Sequence, residues 1–99
     1  MHILRNYEIA IILTEEFNDN ELKTWAFNFA KTLKQFHFCD ISVISRGKNK
    51  LTYSVKDQAQ GNYIQLNFSS MPKSTNKVLN KLKLDTNVLR YLILKKKIS

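Results

Sequence analysis

Hydrophobic and polar residues alternate at the start of the chain, and the pattern then changes to a helical period. Residues 7–13 (YEIAIIL) place apolar side chains on one side of an extended backbone, which is typical of a half-buried strand. Asn18 or Asp19 offers an N-cap, and Glu21 stands at capping-box spacing from Asn18, so we predict that a helix begins there. The apolar face of this helix runs to about residue 36 and comprises Leu22, Trp25, Phe29, Leu33 and Phe36.

A second alternating stretch covers residues 41–55. One side holds Ile41, Val43, Leu51, Tyr53 and Val55, and the other holds Ser42, Arg46, Lys48, Lys50, Thr52 and Ser54. The alternation continues through Gly47, so we predict one long strand, bent or bulged at the glycine, with a continuous register. Residues 57–61 (DQAQG) predict a polar turn, and residues 63–68 predict the returning strand of a β-hairpin.

The last third of the sequence repeats the order of a helix followed by a strand. Pro72 suits the first turn of a second helix, whose shorter apolar face contains Val78, Leu79 and Leu82. Residues 88–94 predict a final strand, and Lys95 to Lys97 form a short basic tail. The order β-α-β-β-α-β predicts a ferredoxin-like α+β fold, in which a four-stranded antiparallel sheet carries both helices on one face. Residues 1–99 are then a single domain with a core of about residues 5–95, and its second sheet face is free to bind another molecule.

The charge balance indicates the chemistry of that other molecule. Sixteen Lys and Arg residues against eight Asp and Glu residues leave a net charge of +8, which favours nucleic acid or an anionic membrane surface. The longest apolar run, residues 9–13, is far shorter than a membrane span, and no secretory signal or transit peptide is predicted. Nucleic acid is therefore the predicted ligand, with no membrane partner. The abundance of Lys, Asn and Ile, which have AT-rich codons, suggests a plastid or a small-genome bacterium as the source.

The sequence contains no recognisable catalytic or metal-binding motif. His37 and Cys39 are two residues apart but lack the third and fourth ligands that a zinc site needs, so we interpret them as a loop histidine and a buried thiol. An acylphosphatase-like enzyme of this fold would need an arginine-bearing phosphate loop after the first strand, where residues 14–17 (TEEF) are acidic instead. We predict no enzyme activity, no catalytic residues, no metal, no cofactor and no small-molecule substrate.

The hairpin cations are the clearest candidates for RNA binding. Arg46, Lys48 and Lys50 are predicted to project from one side of a strand, with Lys56 near the turn, and their mutual repulsion would be relieved by a polyanion. Base stacking as in an RRM is disfavoured, because residues 60–68 (QGNYIQLNF) have Asn62 where the first stacking ring would stand. Contact with backbone phosphates is the expected mode.

Four segments together resemble one known family. Residues 5–9 (RNYEI) resemble the R-x-Y-E-[IV] opening of the sixth small-subunit ribosomal protein of bacteria and organelles, and residues 47–55 (GKNKLTYSV) resemble its G-[RK]-[RK]-x-L-A-Y-P-I segment. Residues 62–68 are similar to its third strand, and residues 84–91 to its L-x-[DN]-x-x-V-[LI]-R close. Asn49 and Ser54 depart from the pattern, which usually has a cation and a proline at these positions.

The resemblance implies a structural protein of the small ribosomal subunit with the same ferredoxin-like fold. Its implied partners are the central domain of the small-subunit rRNA and the eighteenth small-subunit ribosomal protein. Its implied location is the ribosome of a plastid (chloroplast stroma) or, alternatively, of the bacterial cytoplasm. The predicted RNA-binding residues are Arg5, Arg46, Lys48, Lys50 and Lys56, and the predicted partner-protein face comprises Tyr63, Gln65, Arg90 and Leu92. The alternative function is a small ferredoxin-like module for ligand sensing or dimerisation, which would use the open sheet face to pair with itself.

Overall fold

The structure, a computed structural model, describes residues 4–95, with only the backbone of Thr52 and Lys95 described. The elements follow the chain in the predicted order: β1 (Arg5–Thr14), α1 (Asp19–Gln35), β2 (Cys39–Val55), β3 (Gln58–Ser70), α2 (Thr75–Leu84) and β4 (Val88–Lys95). One 3₁₀ turn, Pro72–Ser74, precedes α2. Lys96 and Lys97 of the predicted basic tail lie outside the described residues.

The four strands form one antiparallel sheet in the order β2-β3-β1-β4. The central strand β1 pairs with β3 from Arg5–Ser70 to Thr14–Gly61, and with β4 from Tyr7–Lys95 to Leu13–Val88. The ferredoxin-like α+β fold predicted from the sequence is confirmed.

The core lies between the sheet and the two helices. On the helix side of the sheet, β1 and β3 bury residues at alternate positions, among them Ile9, Ile11, Leu66 and Phe68. The helices complete this core with Leu22, Phe29 and Leu33 of α1 and Val78 and Leu82 of α2. Because removal of apolar area from water is the main stabilising term in folding, this single core fixes which sheet face is covered and which is open.

Helix α1 begins where its sequence predicts. The Asn18 side chain accepts a hydrogen bond from the backbone N–H of Glu21 (2.8 Å), and the Glu21 carboxylate accepts one from the Asn18 N–H (3.0 Å). This capping box satisfies two of the backbone donors that the first turn of a helix leaves unpaired.

Strand β2 is one long strand, as predicted, but its register is not continuous. Ser45 pairs with Ile64 and Gly47 pairs with Tyr63, so two residues of β2 stand opposite one residue of β3. This β-bulge has Gly47 at a φ of 84°, a region that favours glycine. Since side chains alternate between the faces of a sheet, the extra residue reverses the face of the positions that follow it as far as Lys50, where a second shift begins. The prediction that Arg46, Lys48 and Lys50 share one side of the strand is therefore wrong.

The hairpin turn is tighter than predicted. It consists of Lys56 and Asp57, both at positive φ (50° and 64°), and Val55 pairs with Gln58 across it. Positive φ at both central residues is the geometry of the two-residue turn whose twist matches a right-handed hairpin. Residues 58–61 were predicted as turn but belong to β3. The sequence did not reveal the two-residue turn because Lys56-Asp57 is not the Asn-Gly pair that normally indicates one.

The connection between α1 and β2 contains His37 and Cys39. His37 lies in the turn after the helix at a φ of 65°, in agreement with the prediction of a loop histidine. Cys39 is exposed at the start of β2, so the prediction of a buried thiol is wrong. The reason is that Cys39 lies on the edge strand β2, two residues before Ile41, the first residue of β2 that packs against the core.

Candidate interaction surfaces

The sheet face that carries no helix, here called the open face, is built from three rows of side chains across β3, β1 and β4. The strand registers define these rows as Tyr63–Ile12–Arg90, Gln65–Ala10–Leu92 and Asn67–Glu8–Leu94. All four residues predicted for the partner-protein face, Tyr63, Gln65, Arg90 and Leu92, lie on this face in two adjacent rows. The structure thus brings them together, although they come from two strands that do not pair directly.

A network of hydrogen bonds orders the polar half of the open face. The guanidinium of Arg46 donates to Gln65 Oε1 (2.5 Å), and Gln65 Nε2 donates to Glu8 Oε1 (3.1 Å). Next to it, Asn67 Nδ2 donates to Ser42 Oγ (3.2 Å). Because each of these side chains is held by a neighbour on another strand, less rotamer freedom is lost when a partner binds them.

The other half of the open face is apolar and lies on the edge strand β4. Leu92 is 59% exposed and Leu94 is 48% exposed, and both lie beyond the small side chain of Ala10 and the partly buried Ile12. Exposed leucines beside an ordered polar network are typical of a protein interface, with an apolar part and a hydrogen-bonding part.

The five predicted RNA-binding residues do not form one cluster. Arg46 lies on the open face, whereas Lys48 and Lys50 pair with Asn62 and Gln60 and face the helix side. Lys56 lies in the hairpin turn, where its Nζ donates to the backbone carbonyl of Val88 (3.3 Å). Arg5 lies opposite Ser70, at the end of β1 remote from the hairpin turn.

Two residues that the sequence analysis did not select anchor the hairpin to the rest of the domain. Asn62 is 3% exposed, and its Nδ2 donates to the Thr14 carbonyl (2.8 Å). Gln58 Oε1 accepts from the Thr14 hydroxyl (3.0 Å) and from the Glu15 N–H (2.8 Å). A polar residue at an inward position of a strand was a usable signal for Asn62, because buried polar groups need partners. Gln58 carried no comparable signal.

Other kinds of site are not apparent in the described part of the chain. Residues 4–95 contain no group of three or more His, Cys, Asp or Glu side chains placed to hold a metal ion. Neither described helix has the length and apolar character that crossing a membrane requires.

The fold and these surfaces define a small basic ferredoxin-like domain of the binding class. Comparison with known proteins makes this more specific. The family model of ribosomal protein S6 matches residues 6–95, and the chain belongs to the ribosomal protein S6 family.

Individual relatives agree with this assignment. Small ribosomal subunit protein bS6c of Phaeodactylum tricornutum is 60% identical over 98 residues, which cover 99% of this chain and 100% of the relative. Small ribosomal subunit protein bS6c of Trieres chinensis is 57% identical over 96 residues, covering 97% and 100%. The crystal structure of 30S ribosomal protein S6 from Thermotoga maritima superposes with a TM-score of 0.87 at 18% identity, over 95% of this chain and 89% of that one, and so shares the fold.

The family settles the broad function. The protein is a structural component of the small ribosomal subunit and takes part in translation, and it is not an enzyme. The resemblance found in the sequence is thereby confirmed. The two diatom relatives named bS6c agree with the predicted location in a plastid ribosome.

Proposed function

We propose that the protein binds the central domain of the small-subunit rRNA together with the eighteenth small-subunit ribosomal protein. The observation that carries this proposal is the open face of the sheet, an uncovered surface with an ordered polar half and an exposed apolar half. In a domain with a net charge of +8, such a face suits a protein neighbour while the surplus cations suit RNA.

The protein partner is assigned to the open face because of its mixed chemistry. Covering Leu92 and Leu94 removes apolar surface from water, which favours association by about 25 cal/mol for each Å². The adjacent network of Arg46, Gln65 and Glu8 offers charged and amide groups that fix the orientation of the partner.

The RNA partner is assigned to the cations because the domain leaves several of them unpaired. Among the described residues, Lys48 and Lys50 are exposed, and their side chains make no hydrogen bond or ion pair. Bringing phosphates to such residues releases the counterions of the RNA, which favours binding at low salt.

The test is a three-component assembly experiment. The full chain, the purified eighteenth protein and a transcript of the rRNA central domain are mixed in pairs and all together, and complexes are measured by sedimentation. We expect a ternary complex that holds this chain more tightly than either pair does. If the chain stays free of both partners at low ionic strength, the proposal is overturned.

A pair of leucine variants locates the protein contact. We expect Leu92→Asp to weaken binding of the eighteenth protein about tenfold or more, because it places a charge in an apolar contact. Leu84→Asp is the control, since Leu84 is 81% exposed on α2, on the other side of the sheet. Equal effects of the two substitutions would contradict the assignment of the open face.

A further inference from the structure

The β-bulge at Arg46 and Gly47 separates the hairpin cations. Before the bulge, Ile44 pairs with Gln65 on the open face, and after it Lys48 pairs with the buried Asn62 on the helix side. The Asn49 side chain lies against the bulge, with Nδ2 donating to the carbonyls of Arg46 and Gly47 at 3.4 Å. The bulge is therefore an ordered feature of the strand, and it determines which face each cation reaches.

Arg46 is part of the polar network of the open face. Its guanidinium bonds to Gln65, which in turn bonds to the carboxylate of Glu8. A polyanion placed on this face would meet Arg90 as well as Arg46, but it would also meet the carboxylate of Glu8 and cover the exposed leucines of β4, neither of which stabilises phosphate. The surroundings of Arg46 thus suit a protein ligand better than RNA.

Lys48 and Lys50 have different surroundings. They follow Ser45 along the helix side of β2, and Ser45 lines a groove of about 330 Å³ between β2 and the first turns of α1. Lys23 of α1 lines the same groove, together with one carboxylate, that of Asp19. Lysines from a strand and a helix therefore border one edge of the domain, on the side opposite to the open face.

We propose that the bulge divides the hairpin cations between two ligands. Lys48 and Lys50, with Lys23, contact rRNA phosphates from the helix side of the sheet, and Arg46 belongs to the protein-binding face. This inference rests on the proposed function and specifies which residues serve which ligand. It also makes the two surfaces independent, so that RNA and the protein neighbour bind at the same time without competing.

The first test compares two sets of variants in two assays. We expect Lys48→Ala combined with Lys50→Ala to reduce the slope of log affinity for rRNA against log salt by roughly 0.7–0.9 per lost phosphate contact, and to leave binding of the eighteenth protein unchanged. We expect Arg46→Gln to leave the RNA slope unchanged and to weaken protein binding about fivefold or more. Gln replaces Arg here because it is polar and uncharged.

The second test uses two carboxylates as reporters of where the RNA lies. Asp19 borders the helix-side groove, and Glu8 lies on the open face. At low salt, where charges act over tens of ångströms, we expect Asp19→Asn to tighten RNA binding about two- to fivefold because it removes repulsion of nearby phosphates. Glu8→Gln should change RNA binding less than this.

The outcomes of these tests distinguish failure of the proposed function from failure of the division of the cations. If the unmodified chain binds neither rRNA nor the eighteenth protein, the proposed function fails, and this inference fails with it. If both bind, but Arg46→Gln reduces the RNA slope, or Glu8→Gln tightens RNA binding more than Asp19→Asn does, the division of the cations is wrong while the proposed function stands. Circular dichroism of every variant confirms that the compared proteins are folded.

Discussion

At the scale of single residues, the two glycines of the chain serve opposite purposes. A Cβ at Gly61 would overlap the side chain of Ile12 and lie 3.3 Å from the Leu13 carbonyl. A Cβ at Gly47 would meet nothing within 4 Å, but the φ of 84° is strained for any residue with a side chain. Gly61 is thus required for packing between strands, and Gly47 for the backbone conformation of the bulge.

Because Gly61 and Gly47 are required for different reasons, substitutions at the two positions should affect stability in different ways. We expect Gly61→Ala to lower the free energy of unfolding by about 1–3 kcal/mol through overpacking, and Ile12→Ala to rescue part of that loss in the double variant. Urea denaturation of the two single variants and the double variant gives the coupling. Strictly additive effects would show that Ile12 is not the obstacle.

Gly47 should respond to conformational preference instead. We expect Gly47→Ala to lower the free energy of unfolding by about 1–2 kcal/mol and Gly47→Asn to lower it less, because Asn tolerates positive φ better than Ala does. The same urea measurement checks this order. An equal loss for Ala and Asn would mean that the conformation of the bulge is not what limits the choice of residue.

At the scale of elements, the helices were more predictable than the hairpin. The stripe from Leu22 to Leu33 and the capping box fix α1 by local spacing, which the sequence contains in full. In β2, the bulge shifts the register by one residue, and a second irregularity sets the four residues 51–54 against the single residue 59. Both of these shifts are odd, so Val55 returns to the face of Val43, and the alternation between them looks unbroken in the sequence; a further shift, between Cys39 and Ser42, precedes them. Only the pairing with β3 reveals that the residues between the two shifts face the opposite side of the sheet.

The capping box provides the prediction at this scale. We expect Asn18→Ala to lower the free energy of unfolding by about 1 kcal/mol, which corresponds to about 4–8 °C in the melting temperature of a domain of this size. Asn20→Ala is the matched control, because Asn20 is exposed in the first turn of α1. If Asn20→Ala lowers the melting temperature as much as Asn18→Ala does, the capping hydrogen bonds of Asn18 are not the cause of the loss.

At the scale of the whole molecule, the sequence predicted that one sheet face is open and which residues of β3 and β4 share it. Tyr63, Gln65, Arg90 and Leu92 were found because alternation within each strand is a local pattern. The distribution of Arg46, Lys48 and Lys50 between the faces was missed, because it depends on contacts between strands. The excess of positive charge, by contrast, could be predicted from the amino-acid composition alone.

That excess predicts opposite responses of folding and binding to salt. The domain measures about 45 × 25 × 23 Å, and at roughly 0.01 M salt the screening length is about 30 Å, so its lysines repel one another over most of the molecule. We expect the melting temperature of the free protein to rise as NaCl is added, while its affinity for rRNA falls. Calorimetry on the unmodified chain and on the Lys48→Ala, Lys50→Ala variant checks this.

The variant is informative because it carries two fewer positive charges. Its melting temperature should depend less on salt than that of the unmodified chain, since part of the self-repulsion has been removed. A melting temperature that falls with NaCl in both proteins would contradict the electrostatic explanation.

The strand order β2-β3-β1-β4 has a consequence for how the protein is made. Strand β1 lies in the middle of the sheet, and both of its neighbours, β3 and β4, are translated after β1, α1 and β2. At about 5–20 residues per second, β1 spends seconds without the strands that will flank it. The nascent chain therefore cannot complete its sheet until β4 has been translated, so a ribosome makes the other five helices and strands of this domain before it gains a usable component of another ribosome.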